Sequence, residues 1–407
     1  MAHIVPFKGI LYNLEKVSGD DVVAPPYDIV TPEYRELLYK KSPYNIVRID
    51  FGKEMLGDNE SNNKYTRARD FFEQWIKEDL LVQDDRPAFY AYEVNYEIYG
   101  ESRILRGILA MVKIEDLGKG VYPHEATHSK PKADRLNLMK ACLANISPIY
   151  ALYNSPERIA SGIINDISDK PCITAKDFDG AAHRLFRISD ESKIDSIKKE
   201  LYDKAIFIAD GHHRYEVALE FKRMMGKGHW DYVMMFLANM ADEGISILPT
   251  HRLVKGIKRE EVISRLEKDF FVEMCGLECD IQERLFHENK NTFGLYLGSN
   301  EMWYILKYKG SGLEDVHSAL KSLDVVILHE LIIKRDLGIE DVAYEMDIAE
   351  SLKKVKRGDF DAVFFLNPTN VYDVERVALS GLRMPPKSTY FYPKLLTGMV
   401  INKFSDR

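Results

Sequence analysis

The stretch that most constrains the fold is IFIADGHHRYEV at residues 206–217, where an apolar run stops at an acid and a glycine. The run at 206–209 is typical of a buried strand, and the pattern that follows predicts a helix over 215–228. At such a junction the first N–H groups of the helix point outward without intrahelical partners. The sequence therefore predicts a strand–turn–helix unit whose turn can receive an anion.

The side chains of this turn suit a polyphosphate. Gly211 allows close approach of a phosphate, and the Arg214 guanidinium can bind two phosphate oxygens at once. His212 and His213 can donate hydrogen bonds or shuttle protons, and Asp210 can hold magnesium or cap the helix. Two alternatives stay open: Asp210 as a simple cap with surface histidines, and metal binding by the two histidines. Adjacent residues seldom ligate one ion, which disfavours the second alternative.

Length and composition limit the classes of protein to consider. A chain of 407 residues predicts two or three domains, and 45% hydrophobic with 29% charged residues is typical of globular proteins. The net charge of −8 argues against binding to duplex nucleic acid, which requires a basic face. We find no signal peptide and no apolar run of about 18 residues, so a cytoplasmic protein without a membrane span is expected. We expect Tyr90, Tyr92 and Tyr96 to be exposed, and exposed aromatic residues favour a homodimer.

Strand and helix patterns alternate without a regular βαβ repeat, which predicts an α+β or mixed α/β fold. The segments 88–98 and 104–114 predict a hairpin around Gly100, and 291–310 predicts a second hairpin. Residues 133–144 and 323–338 predict helices, and His329 in the latter is expected to be a satisfied core residue. We place a boundary at 255/256, with a nucleotide-binding region over 1–255 and an α/β region over 256–407.

A polar segment around HEATH (124–128) carries further candidates. It matches the H-E-x-x-H zinc motif, but Pro123 and Pro131 leave no room for the helix that the motif requires. We interpret the segment as a polar loop in which Glu125 is a candidate general base, with Lys130 and Arg135 lining a pocket. A solvated charged loop is the alternative.

Three further stretches combine stiff turns with polar side chains. PPYDIV (25–30) presents Tyr27 and Asp28, LPTHR (248–252) presents Thr250, His251 and Arg252, and MPPKSTYFYPK (384–394) presents Lys387, Ser388, Thr389 and Lys394. Each is suited to a site, although a connector or a packing segment explains the first and the last equally well. The cysteine pair Cys275/Cys279 has no second pair, and no P-loop, Rossmann fingerprint or nucleophile elbow is present.

The stretches PPYDIV, VYPHEATHSKPKADRL, IADGHHRYEVAL, ILPTHR and MPPKSTYFYPKLLTG together resemble a bacterial and archaeal family of unknown function, over essentially the whole chain. DGHHR (210–214) in turn resembles the nucleotide-binding box of ParB/sulfiredoxin-type proteins, which include free-serine kinases. The resemblance implies a ParB/sulfiredoxin-like core. It places Gly211, His212, His213 and Arg214 on nucleotide phosphates and Asp210 near magnesium or the substrate hydroxyl. A histidine stands where sulfiredoxins carry a cysteine, which disfavours sulfinic-acid reduction, and no helix-turn-helix region is visible.

We therefore expect a kinase that transfers a phosphoryl group from ATP or ADP, with Mg²⁺, to the hydroxyl of free L-serine. The expected catalytic residues are Glu125, Asp210, His212 and His213, with Asp28 as the reserve base and Asp210 as the metal ligand. Arg252 and Lys387 are expected to add nucleotide contacts, and the expected substrate contacts are Tyr27, Asp28, Lys130, Arg135, Thr250 and His251. Arg252, Arg135 or Lys130 would bind the amino-acid carboxylate. The alternatives are a nucleotide-binding regulatory module without turnover and a hydrolase of phosphorylated substrates.

Overall fold

A computed structural model describes residues 3–125, 129–257, 259–288 and 290–404, without the side chains of residues 129, 130, 259 and 260. The chain forms two compact units. The first comprises Met1–Pro123, Thr127–Ile245 and Pro393–Arg407, and the second comprises His124–Ala126 and Ser246–Tyr392. Both units contain helices and sheets, so the predicted mixed α/β class is confirmed.

The first unit is built on a sheet that has nine strands among the described residues. Its order is β6-β11-β8-β12-β5-β4-β10-β9, with β1 beside β5. The pairs β6–β11 and β8–β12 are parallel and the other pairs are antiparallel. The strands of this unit are β1 (Ile4–Val5), β2 (Ile10–Tyr12), β3 (Leu81–Gln83), β4 (Phe89–Ile98), β5 (Glu101–Lys113), β6 (Val121–Pro123), β7 (Ala144–Asn145), β8 (Ile149–Tyr153), β9 (Ile173–Lys176), β10 (Ala182–Ile188), β11 (Ile206–Asp210) and β12 (Tyr232–Asn239). Outside the large sheet, β2 pairs with β3, and β7 pairs with the short strand Asn402–Lys403.

Helices surround this sheet, and several begin with a side-chain cap. Thr31 accepts a hydrogen bond from the backbone of Tyr34, and Asn63 forms a reciprocal capping box with Thr66. The helices are α1 (Gly19–Val22), α2 (Pro32–Lys41), α3 (Val47–Asp50), α4 (Lys64–Lys77), α5 (Ser129–Cys142), α6 (Ile159–Asn165), α7 (Glu191–Leu201) and α8 (His212–Met225), with 3-10 turns at Tyr27–Ile29 and His229–Asp231. The core of the unit lies between apolar residues of α6, α7 and α8 and one face of the sheet.

The second unit has an antiparallel sheet of six strands among the described residues, in the order β15-β17-β16-β19-β14-β18. Its strands are β13 (Ser246–Leu248), β14 (His251–Val254), β15 (Phe270–Gly276), β16 (Thr292–Leu297), β17 (Met302–Tyr308), β18 (Val342–Glu345), β19 (Ala362–Phe365) and β20 (Tyr390–Tyr392), of which β13 pairs with β20. Its helices are α9 (Arg259–Leu266), α10 (Ile281–Glu288), α11 (Ser318–Lys321), α12 (Asp324–Val326), a π-helix (Ile327–Asp336), α13 (Ile348–Lys356) and α14 (Val371–Leu379).

Several local predictions agree with these elements. The hairpin β4–β5 turns at Tyr99 and Gly100, both with positive φ (51° and 78°), as a two-residue hairpin turn requires. The hairpin β16–β17 is also present. Tyr90, Tyr92 and Tyr96 of β4, however, are buried, so the prediction that they are exposed is wrong. The predicted helix over 215–228 begins earlier, at His212, and the apolar segment 245–254 forms two short strands because Pro249 interrupts it.

The two units do not follow the predicted division at 255/256. β14 belongs to the second unit because it pairs with β18 and β19, whereas residues 393–407 return to the first unit. The assignment of nucleotide binding to residues 1–255 and the ParB/sulfiredoxin relationship stay predictions. Within the described residues, no helix is long and apolar enough to cross a membrane.

Candidate functional site

The strand–turn–helix unit at 206–225 is present in the first unit. β11 lies between β6 and β8, and Ile206, Phe207 and Ile208 are buried, which explains the unbroken apolar run. The pairing register with β8 shifts between Ile208 and Asp210, so the strand ends in an irregularity. Gly211 then has φ +95°, a conformation that favours glycine, and α8 begins at His212.

The Asp210 carboxylate is held between two cations of the same unit. Lys394 Nζ donates to its Oδ1 at 2.7 Å, and Arg214 Nη2 donates to its Oδ2 at 2.6 Å. Burial alone would raise the pKa of Asp210, but the charges of Lys394 and Arg214 outweigh burial and hold the pKa below its usual value. Asp210 is therefore ionised at neutral pH, and the three groups together carry one excess positive charge.

The Arg214 guanidinium donates hydrogen bonds to two protein acceptors. Besides Asp210, it donates through Nη1 to the carbonyl of Pro148, while its buried Nε has no hydrogen-bond partner in the described part of the chain. A cavity of about 40 Å³ adjoins Arg214, Arg135 and Asp50, with mostly apolar walls. This volume holds a few water molecules and is too small for a nucleotide. Arg214 thus orients Asp210 and uses two of its five N–H donors on protein acceptors among the described residues.

The first turn of α8 has the features of an anion receptor. The N-cap residue is Gly211, which has no side chain with which to cap the helix. His212 is 7% exposed and its charge would lower the pKa of Asp210, so the imidazole lies close to that carboxylate. His213 is half-buried. The helix N-terminus, the histidines and the Asp210 cluster therefore combine partial and full positive charge.

Arg135 lies in the same unit, within a network of acids. It donates to Asp50 through Nη1 (2.9 Å to Oδ1) and Nη2 (2.7 Å to the carbonyl), and to Asp134 through Nε (3.0 Å) and Nη2 (2.6 Å). Four of the five N–H donors of this guanidinium are therefore used. Its Cζ also lies 4.0 Å from the ring centroid of Tyr27.

PPYDIV contributes Tyr27 and Asp28 through the 3-10 turn Tyr27–Ile29. Burial raises the pKa of Tyr27 to about 12, with smaller opposing effects from Arg135 and Arg214, so the phenol stays protonated. The charges of both arginines act on Tyr27, which places this ring near the DGHHR turn. Asp28 is exposed.

LPTHR and residues 384–392 of MPPKSTYFYPK lie in the second unit. Arg252 is 1% exposed and donates to two carbonyls, those of Thr250 and Lys387, the latter at 3.1 Å from Nη2. Burial lowers the pKa of Arg252 to about 10, partly offset by Tyr344 and Glu125, and the side chain stays charged. Lys387 is exposed and has φ +54°, an uncommon conformation for a residue with a side chain.

His251 projects into the core of the second unit, where it packs edge-on against Phe365 with ring centroids 4.8 Å apart. Both of its ring nitrogens are buried without a hydrogen-bond partner among the described residues, as is Oγ1 of Thr250. Burial lowers the pKa of His251 to about 3, so the imidazole is neutral at physiological pH.

Glu125 also belongs to the second unit and is half-buried. Its Oε1 accepts a hydrogen bond of 2.6 Å from the backbone N–H of Lys387, and its carbonyl accepts from Arg383. Its neighbour His124 is fully buried and contacts Thr389 Oγ1 at 2.9 Å. The side chain of Lys130 lies outside the described residues.

Magnesium at Asp210 does not fit the residues around it. Both carboxylate oxygens already accept from a cation, and a divalent ion would have to displace Lys394 or Arg214. The described residues contain no group of three or more His, Cys, Asp or Glu side chains able to hold a metal ion.

Three charged residues join the candidate site without having been assigned a role from sequence. Lys394 was visible as part of a basic loop, and its contact with Asp210 spans 184 residues. Asp50 and Asp134 both contact Arg135. Asp134 lies in the stretch VYPHEATHSKPKADRL but was given no role, and Asp50 lies outside the stretches quoted above. Asp134 could have been found from the sequence, because it directly precedes Arg135. Asp50 could not, because it is distant from Arg135 in the sequence.

Comparison with solved structures gives distant neighbours. A free serine kinase mutant in complex with AMP has 14% sequence identity and a TM-score of 0.40, covering 72% of this chain and 92% of that chain. SbnI with C-terminal truncation from Staphylococcus aureus has 12% identity and a TM-score of 0.38, covering 71% and 85%. A conserved hypothetical protein from Pyrococcus furiosus has 16% identity and a TM-score of 0.34, covering 70% and 90%.

No curated protein matches the sequence. The family model described as "Protein of unknown function (DUF1015)" matches residues 4–326, most of the chain. The chain belongs to this family.

Proposed function

We propose that the DGHHR turn binds the phosphates of a nucleotide and that the protein is a phosphotransferase. The observation that carries this proposal is the arrangement around Asp210. Two cations, Lys394 and Arg214, contact one carboxylate that directly precedes Gly211, the positive-φ residue at the N-cap position of α8. The resulting excess positive charge, next to the positive end of the helix dipole, favours a polyphosphate over a neutral ligand.

In the proposed reaction, the serine hydroxyl attacks the terminal phosphorus of ATP or ADP. The bond from that phosphorus to the nucleotide oxygen breaks, and the hydroxyl proton passes to a carboxylate, which yields O-phosphoserine. Asp210 is an unsuitable base because two cations keep its pKa low; it orients Lys394 and Arg214 instead. His212 and His213 are proposed to contact phosphate oxygens, where charge develops during in-line transfer.

Two carboxylates are candidates for the base. Glu125 is the first choice, and its Oε1 is fixed by the N–H of Lys387. Asp28 is exposed and lies in the same unit as the turn. Glu125→Gln and Asp28→Asn keep the shape of each side chain and remove only its ability to accept the proton. The base is the residue whose substitution lowers kcat by about 100-fold or more while nucleotide affinity is kept.

The acceptor, L-serine, rests on the sequence resemblance to ParB-like free-serine kinases and is the part most in need of a direct test. Purified protein is incubated with L-serine, magnesium and either ATP or ADP, and the products are separated by mass spectrometry. We expect O-phosphoserine with at least one donor. Formation of no phosphorylated amino acid with either donor removes the kinase assignment, and nucleotide binding without turnover supports the regulatory-module alternative.

A further inference from the structure

The second unit contains a buried cation without a paired acid. Arg252 is 1% exposed, and its hydrogen-bond acceptors among the described residues are the carbonyl oxygens of Thr250 and Lys387. In the described part of the chain, no carboxylate makes an ion pair with it, and its buried Nε has no partner. A buried charge that only carbonyls contact is costly, and an anion on the guanidinium removes that cost.

The groups around Arg252 resemble the wall of a binding site rather than a hydrophobic core. Its Cζ lies 5.1 Å from the ring centroid of Tyr344, and Oγ1 of Thr250 is buried without a partner among the described residues. His329, expected from sequence to be a satisfied core residue, is half-buried on the π-helix and feels the charge of Arg252. π-Helical turns are rare and occur often at functional sites.

The charges in this region decide the class of anion. Burial and the charge of Lys334 lower the pKa of His329, so Arg252 is the full positive charge facing the ligand. Glu125 lies close enough to raise the pKa of Arg252, and one residue connects the two: Lys387 donates its N–H to Glu125 and its carbonyl accepts from Arg252. One cation beside one acid favours a monoanion, because a phosphate dianion adds two negative charges next to Glu125.

We infer that Arg252 binds the carboxylate group of a small molecule, with Thr250 Oγ1 as an additional hydrogen-bonding group. Of the three residues expected from sequence to bind an amino-acid carboxylate, Arg135 already uses four donors on Asp50 and Asp134. The carboxylate can belong to the L-serine acceptor, in which case the inference rests on the proposed function, or to a separate effector. The chemistry at Arg252 is the same in both cases.

Lys387 supplies the route for this ligand. Because Arg252 is 1% exposed, an entering carboxylate has to replace one of the two carbonyls on the guanidinium. Lys387 is exposed and its backbone is in the left-handed region, which is costly for a residue with a side chain. A small rotation of this peptide relieves the strain and frees Nη2, so that a carboxylate can accept two parallel hydrogen bonds, one from Nη2 and one from Nε, which has no partner among the described residues.

Isothermal titration calorimetry tests the inference with four probes: L-serine, L-serine amide, propionate and inorganic phosphate. L-Serine amide keeps the hydroxyl and amino groups and lacks only the carboxylate. Each probe is titrated into the wild type, Arg252→Lys, Arg252→Gln and the control Arg265→Gln. Arg265 is half-exposed in the same unit and pairs with Glu261.

We expect the wild type to bind L-serine roughly 10- to 100-fold more tightly than L-serine amide, the worth of a charge-assisted hydrogen bond. Arg252→Gln abolishes this preference, Arg252→Lys retains part of it because the charge stays, and Arg265→Gln behaves as the wild type. Binding of propionate but not of L-serine, with the same dependence on Arg252, assigns the site to a separate carboxylate effector.

Equal affinity for L-serine and its amide, combined with no binding of propionate, contradicts the inference. This outcome is measured on the wild-type protein, so it holds even if Arg252→Gln does not fold. Tighter binding of phosphate than of either carboxylate through Arg252 also contradicts it. The outcome is separable from the kinase proposal: absence of O-phosphoserine with retained Arg252-dependent carboxylate binding refutes the kinase and leaves the carboxylate site standing.

Discussion

Replacing Asp210 with asparagine tests whether the charge cluster at the DGHHR turn is organised by this carboxylate. The substitution keeps the size of the side chain but removes its negative charge. Lys394 and Arg214, which lie 2.7 and 2.6 Å from the carboxylate oxygens, then face an uncharged amide. Removing one partner of a fully buried ion pair costs about 3–5 kcal/mol. The three side chains are 10–15% exposed, so we expect the lower end, about 3 kcal/mol of unfolding free energy.

Urea unfolding followed by circular dichroism measures this loss. The matched control is Asp195→Asn, whose carboxylate is 80% exposed and lies 4.0 Å from Lys198. An exposed pair of this kind contributes about 0.5 kcal/mol or less. A loss below about 0.5 kcal/mol for Asp210→Asn, equal to that of the control, refutes the reasoning.

The contribution of Asp210 to the free energy of unfolding should depend on pH in a defined direction. The pKa of Asp210 is lower in the folded chain than in the unfolded chain, so folding favours the ionised carboxylate. The stabilisation is complete above the unfolded pKa of about 3.9 and disappears as the pH falls through the folded pKa. The difference between wild type and Asp210→Asn should therefore be constant from about pH 5 to pH 8 and shrink only in stronger acid.

Four further substitutions, one of them a control, have expected outcomes. Gly211→Ala places a Cβ 2.8 Å from Arg214 Nε at φ +95°. The control, Gly226→Ala at φ +77°, meets no atom within 4 Å. Both variants should lose about 1 kcal/mol of unfolding free energy in denaturant titrations, but only Gly211→Ala should also lose nucleotide affinity. Because burial lowers the pKa of His251 to about 3, the wild type should lose about 2 kcal/mol between pH 7 and pH 5, and His251→Phe should abolish that loss. Arg135→Met leaves the buried Asp50 without its ion-pair partner, whereas Asp134 keeps Lys64 at 2.7 Å. This substitution should cost about 3–5 kcal/mol in the same assay, and a loss below about 1 kcal/mol contradicts this.

The local structure around the DGHHR turn is predictable from sequence because it depends on neighbouring residues. An apolar run, a glycine and a helical pattern are enough to give β11, the left-handed turn and α8. The exact helix start is less predictable: His212, His213 and Arg214 have no apolar periodicity, yet they form the first turn of α8. The hairpin β4–β5 was predictable for the same local reason, since Gly100 follows directly on an alternating strand.

The partners of the turn are not predictable from local patterns because they come from distant segments. Lys394 reaches Asp210 from the far end of the chain, after the second unit has been completed. Arg135 was expected to bind substrate, and no sequence pattern shows that Asp50, 85 residues away, uses two of its donors. Likewise, the π-helical geometry at His329 is a consequence of packing and has no signature in an apolar helical segment.

A crystal structure with bound nucleotide tests the central claim most directly. The account predicts that the phosphates lie at the first turn of α8, in contact with the N–H groups that follow Gly211 and with Lys394 or His213. Phosphates bound elsewhere, with the Asp210–Arg214–Lys394 cluster unchanged and no ligand in front of the turn, would contradict it.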